Sequence, residues 1–392
     1  MNLWGIGAYA KIDSSRRRDV AVLDEARTLK ATTRPDPVYN TAPGRFGRYF
    51  VPGDMKTDAN AFTTMRWILA SSVMFSHGWD LTQPLAGLDP SVAILGFPVS
   101  RLAVFLFFTL SGFLVTGSLI KRGAVDFTLA RGLRLLPGLW VMIAVMVFGL
   151  WALFGTLPLG QYLSDPMTRS FVLRNALLWG GEFRLPGIFN DNQFANVVNG
   201  SLWTIPHEVR CYIVLALIGA VGLLLSRRLL LALFLIAAVV HLLVPPEIVP
   251  VLENPRRLAF SFFLGVLFFL WRERLWLSWP LALAGAAAAL LLPDGVVKTM
   301  AIQISFGYLV LVAAFCAPAS IKAASIRLPD YSYGIYIYGF PAQQVAIALG
   351  IGLAPFTNIV WGIVIMLPLA ALSWHLVEEP ALALKRRAVL PA

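Results

Sequence analysis

Three sets of polar residues interrupt otherwise apolar stretches of this sequence, and their types suit proton and anion chemistry. The first lies in Met65–Asp80, MRWILASSVMFSHGWD, which carries Arg66, His77 and Asp80. An ionisable side chain at membrane depth is costly and marks function by default. Arg66 and His77 are 11 residues apart, so on a helix their side chains fall within about 20° of each other and roughly 16 Å apart along the axis. A neutral imidazole accepts a proton well near pH 7, which makes His77 the candidate general base. Asp80, one turn on, is the candidate to hold its tautomer. Taken singly, each has a plainer reading: Arg66 reaching to lipid headgroups, His77 bonding a neighbouring helix. The pairing favours chemistry.

The second set is Arg131 and Arg134 in LIKRGAVDFTLARGLRLLPGLWV. Three residues apart, they leave a helix from one side, and two guanidinium groups on one face suit phosphate oxygens. Anchoring of a connector by positive charge is the competing explanation. The third set is NGSLWTIPHEVRCY, residues 199–212. Asn199 or Ser201 can cap the helix, and Pro206 is expected to break its first turns. Glu208 then lies just inside the membrane, with His207 and Arg210 beside it, as a proton acceptor or a partner to His77. A structural ion pair with Arg210 is the alternative.

The elements that position these residues can be read from composition. Of 392 residues 58% are hydrophobic and 14% charged, and the mean hydropathy is +0.72. Apolar segments long enough to cross a bilayer recur, and the alternation of a barrel is missing. The expected fold is all-α: a polytopic membrane protein of about ten transmembrane helices, at 63–80, 97–120, 135–154, 202–225, 228–245, 258–272, 277–292, 298–317, 332–350 and 357–377. With both termini cytoplasmic, the inner connectors hold 13 Lys and Arg against 6 in the outer ones, before the tail adds ten. The positive-inside rule therefore accounts for the net charge of +11, and no nucleic-acid partner is expected. Residues 1–60 read as a polar, mostly disordered cytoplasmic tail with one short helix around 18–30, 61–387 as the membrane domain, and 388–392 as a short C-terminal tail. The long outer connector 155–201 is too apolar around Trp179, Phe183 and Phe189 to hang free, so it is expected to fold back on the bundle mouth.

Other polar residues read as structural. His241, in an apolar span without a neighbouring acid, reads as a satisfied packing residue, Cys211 and Cys316 as core packing, Ser111 and Gly112 as small residues for close helix contact, and Tyr331, Tyr333, Tyr336 and Tyr338 partly as an aromatic belt. Walker, GxSxG and metal signatures are missing, so no metal and no permanently bound cofactor is expected.

Together these stretches resemble the acyltransferase-3 family of integral membrane acyltransferases, from about residue 60 to 387. Arg66-x10-His77 resembles the family's first-span motif, FFTLSGFLVTGSLIKR its second span, and Arg131-x-x-Arg134 its inner arginine motif. NGSLWTIPHEVRCY is similar to the fourth-span block, and DYSYGIYIYGFPAQQ and SWHLVEEPALALKRR to the ninth and tenth spans. The resemblance implies transfer of an acyl group, often acetyl, from cytoplasmic acyl-CoA to a carbohydrate or lipid-linked glycan at the cell (inner) membrane. Arg66, Arg131 and Arg134 would hold the donor, and His77 would act with Asp80 or Glu208. The tail before the first span is longer than usual for the family, and His207 stands where many members have an acidic or apolar residue. A secondary transporter of an anionic or proton-coupled solute is the main alternative; it predicts matching broken helices in two repeats, whereas one break, at Pro206, is legible. An acyl-CoA-binding pseudoenzyme is the third reading.

Overall fold

The computed structural model describes residues 46–83, 89–244 and 248–388. Within them the chain is all-α apart from one two-stranded ladder and an isolated bridge between Arg184 and Val197. A helix overlaps each of the ten expected spans: α1 Phe62–Thr82, α2 Val99–Arg122, α3 Ala124–Ala144, which starts well ahead of the expected 135, α4 Ile205–Ala220, α5 Arg227–Leu243, α6 Glu253–Leu270, α7 Trp279–Leu290, α8 Val296–Phe315, α9 Ser332–Ala348 and α10 Pro355–Ser373. Four of them, α2, α3 with its continuation to Phe154, α8, and α10 with its continuation to Leu384, are long and apolar enough to cross a bilayer.

The central element is α2. It packs on α1, α6 and α8, and small residues let it approach α6 closely. A Cβ added at Gly112 would collide with the Phe262 carbonyl, and one at Gly265 with the Thr109 carbonyl. Without a hydrophobic effect between helices in lipid, this backbone-to-backbone fit is what holds them. At its far end α2 turns directly into α3 through Gly123, whose φ of +80° a side chain would strain.

Two helices contain a π-turn, Val145–Gly149 after α3 and Trp374–Glu378 after α10. Such a turn inserts one residue and re-aims the side chains beyond it, often at a functional site. In α10 it brings Glu378 inward, where Ser373 Oγ donates to its carboxylate at 2.9 Å.

Residues 46–60 depart from the expected tail. Arg48–Tyr49 pairs antiparallel with Trp276–Leu277. The Arg48 guanidinium binds both oxygens of buried Asp54 at 2.7 and 2.8 Å, which raises the arginine pKa further against the lowering effect of burial. Phe50 packs edge-on against Phe315. The apolar face of this stretch therefore belongs to the bundle; residues 1–45, with the helix expected at 18–30, lie outside the described residues.

The connector 155–201 folds back as expected. It contains helices Leu159–Ser164 and Pro166–Ala176 and buries Leu185, Ile188 and Phe189. Gln193 donates to the Thr82 carbonyl at the end of α1, and Asn192 and Gln344 interlock it with α9. Trp179 is the exception, at 79% exposed. The apolar core falls into two clusters, one around α2, α6 and α8 and one joining α3, the connector, α9 and α10; Phe107, Tyr333 and Tyr336 pack against both.

Candidate active site

Two cavities lie along this seam. The first, of about 130 Å³, is lined by Arg66 from α1, Ser111 from α2, Arg131 and Arg134 from α3, and Glu208 and Tyr212 from α4. The second, of about 240 Å³, is lined by His77, Ser100, Arg101, Ser201, Trp203 and Arg257 among others. Val104 and Tyr336 line both, so the cavities abut across these two side chains. The shared face of Arg66 and His77 thus feeds one residue into each. Tyr336 is held there by its hydroxyl, which donates to the Ser201 carbonyl at 3.1 Å and lies 2.6 Å from Thr204 Oγ1.

The arginines differ in what they already bind. Arg134 pairs with Asp330 at 2.8 Å and with buried Glu378 at 2.9 Å, and lies over the Trp374 ring at 5.4 Å. Arg66 shares Asp330 at 3.1 Å. Burial alone would raise the Asp330 carboxyl, but Arg66 and Arg134 hold it below its ordinary value. Arg131 makes no hydrogen bond or ion pair among the described residues, and its buried Nε is unpartnered. The three guanidinium groups line one cavity together with the Glu208 carboxylate; two of them are held in ion pairs, and Arg131 is in none among the described residues.

The acids expected beside His77 are elsewhere. Glu208 accepts from Ser111 Oγ at 3.1 Å and from the Tyr212 hydroxyl, inside the arginine cavity. Asp80 makes no hydrogen bond to His77: the imidazole Nδ1 is buried without a partner, and the ring packs edge-on against Phe340 at 5.1 Å. The one-turn spacing therefore sets Asp80 on a neighbouring position of the helix without bringing it within hydrogen-bond reach of that ring. His207 and Arg210 line neither cavity; the His207 Nδ1 lies 3.3 Å from Arg210, which also donates to the Trp179 carbonyl.

Further expectations need correction. Pro206 breaks nothing, because it sits in the first turn of α4, where a missing N–H is free of cost; a 3₁₀ turn, Gly200–Thr204, precedes it, capped by Asn199. Ser111 is a hydrogen-bonding wall of the first cavity as well as a small residue. Tyr333, which donates to the Leu135 carbonyl, Tyr336 and Tyr338 face inward, not to an interfacial belt. His241 is buried, yet neither ring nitrogen has a partner. No group of His, Cys, Asp and Glu suited to a metal occurs among the described residues.

Asp330, Glu378 and Arg101 went unnoticed in the sequence, and Tyr336, Ser201 and Arg257 had other roles there, as belt, cap and connector charge. Asp330 and Glu378 had a signal, since each is an acid bordering an apolar run. Ser201 had none, because a serine beside a helix start reads as a cap.

The acyltransferase domain profile matches residues 60–375. Nodulation protein 10 of Rhizobium leguminosarum bv. viciae is 32% identical over 364 residues, covering 83% of this chain and 94% of the relative. An O-acetyl transferase of Shigella phage Sf6 is 27% identical over 339 residues, covering 82% and 95%. No solved structure matches.

Proposed function

Because the chain belongs to the acyltransferase-3 family of membrane proteins and is an O-acyltransferase, we propose that it carries an acyl group, acetyl in the first instance, from cytoplasmic acyl-CoA to a hydroxyl of an extracytoplasmic or lipid-linked carbohydrate. The observation that carries this reading is the pair of abutting cavities, one with the arginines and one with His77, separated by Val104 and Tyr336. A donor that is anionic at one end and an acceptor that is a sugar call for two different chambers meeting at one point.

In this reading the arginine cavity opens to the cytoplasm, in an inner-membrane protein with both termini on that side. Arg131 binds a CoA phosphate by charge-assisted bonds, while Arg66 and Arg134, already paired, shape the wall around it. The pantetheine arm reaches past Tyr336 and sets the thioester beside His77. His77 takes the proton of the acceptor hydroxyl as its oxygen attacks the thioester carbonyl. The new ester bond forms, the carbon–sulfur bond breaks, and the proton passes on to the leaving thiolate, giving free CoA. Glu208 serves the donor side, through Ser111 and Tyr212. The name of the phage relative, an O-acetyl transferase, supports acetyl as the group moved.

The test is turnover of labelled acetyl-CoA by the purified, detergent-solubilised protein in the presence of cell-envelope glycan. Wild type is expected to transfer label, and His77→Gln to lose transfer by about 10²-fold or more with acetyl-CoA binding intact. Unchanged turnover by His77→Gln would remove His77 from the chemistry.

A further inference from the structure

The His77 cavity holds more positive charge than its own acids neutralise. Arg257 forms an ion pair with Glu253, but Arg256 pairs with the same carboxylate, so one acid serves two guanidinium groups. Arg101 also lines the cavity; it is exposed and has no ion pair among the described residues, lying only over the Phe97 ring at 5.5 Å. Two unpartnered polar groups complete the lining. Ser201 is 2% exposed and its hydroxyl has no partner, as is true of the buried His77 Nδ1. A hydroxyl left unpaired in a buried wall costs free energy unless a ligand meets it. The arginines also stand at the starts of α2 and α6, the end of the bundle opposite Arg66. On the orientation proposed above that is the outer face, where positive charge runs against the usual distribution and so calls for another explanation.

We infer that the acceptor is anionic: a sugar bearing a carboxylate or a phosphate, its charge held between Arg101 and Arg257, with Ser201 bonding a neighbouring hydroxyl and a further hydroxyl presented to His77. This rests on the acyl-transfer reading for the role of the site, but the charge preference is a property of binding and is measured without any transfer.

Equilibrium dialysis of the full-length protein in detergent tests it, with three probes: phenyl β-glucoside, phenyl β-glucuronide and phenyl β-glucoside 6-phosphate. At least one anionic probe is expected to bind tenfold or more tighter than the neutral one, the factor that one charge-assisted hydrogen bond supplies. Arg101→Gln and Arg257→Gln each reduce that preference, Arg101→Lys keeps most of it, and raised salt weakens it. Whichever anion binds tighter identifies carboxylate or phosphate as the group recognised. Arg101 is exposed and unpaired, so its substitution leaves the fold intact. Equal affinity for all three probes, no binding of either anion, or a preference that survives both glutamine substitutions overturns the proposal. Acetyl-CoA turnover is scored separately: normal turnover without anion preference sinks this inference alone, and anion preference without turnover sinks only the acyl-transfer reading.

Discussion

At the scale of single residues, the arginines of one motif do unlike work. Arg134 lies between two carboxylates, Asp330 and Glu378, and removing a partner from such a buried network leaves charges uncompensated, at a cost of about 3–5 kcal/mol. Arg134→Ala is therefore expected to lower the thermal midpoint strongly. Arg131→Ala, which breaks no pair, leaves that midpoint in place and weakens acyl-CoA binding. Thermal unfolding and CoA binding measured on both variants separate the roles; the same defect in both would merge them. Asp330 adds a pH dependence. Its carboxyl is held below its ordinary value by Arg66 and Arg134, so its contribution is full above about pH 4, the ordinary carboxylate value, and is lost as pH falls through the lower folded value. Acid unfolding of wild type and Asp330→Asn should show a steeper loss below that pH in wild type, and parallel profiles would exclude it. The pairing of Arg66 with His77 on one face was legible because helical periodicity is a local property. Asp330 and Glu378 meet Arg134 from positions 196 and 244 residues away, and no local pattern reports such a meeting.

At the scale of elements, the crossing of α2 and α6 positions both chambers, since α2 contributes Arg101, Val104 and Ser111 along its length. Because Gly112 and Gly265 each face a carbonyl of the other helix, Gly265→Leu is expected to force the pair apart and lower the thermal midpoint. Gly160→Ala, in open space on the connector, is the control that should not. An unshifted midpoint for Gly265→Leu would mean the crossing yields easily. Sequence located α1 to α10 through their apolar runs and turn signals, but not the short connector helices Leu159–Ser164 and Pro166–Ala176, which have no long apolar run. It did not locate the π-turns, because an inserted residue leaves composition unchanged and depends on what the neighbouring side chains meet. The same limit explains residues 46–60, whose polar composition hid a two-residue ladder and a buried Arg48–Asp54 pair.

At the scale of the whole molecule, the proposed mechanism turns on sidedness: it puts the donor at one end of α1 and the acceptor at the other, with the two cavities meeting at Val104 and Tyr336. Orientation has its own check in single cysteines. With Cys211 and Cys316 replaced by serine, Ser226→Cys should label with a membrane-impermeant maleimide only in opened cells, and Ser164→Cys in intact ones. The reverse pattern would invert the assignment of both cavities. The measurement that reaches the central claim is acetyl transfer across a sealed membrane. Protein of known orientation is reconstituted in vesicles, with labelled acetyl-CoA on the Arg131 side and a glycan acceptor trapped on the His77 side. The mechanism predicts label on the trapped acceptor, none when acetyl-CoA is supplied on the His77 side alone, and loss of transfer in His77→Gln. Transfer only when donor and acceptor share one side would contradict it.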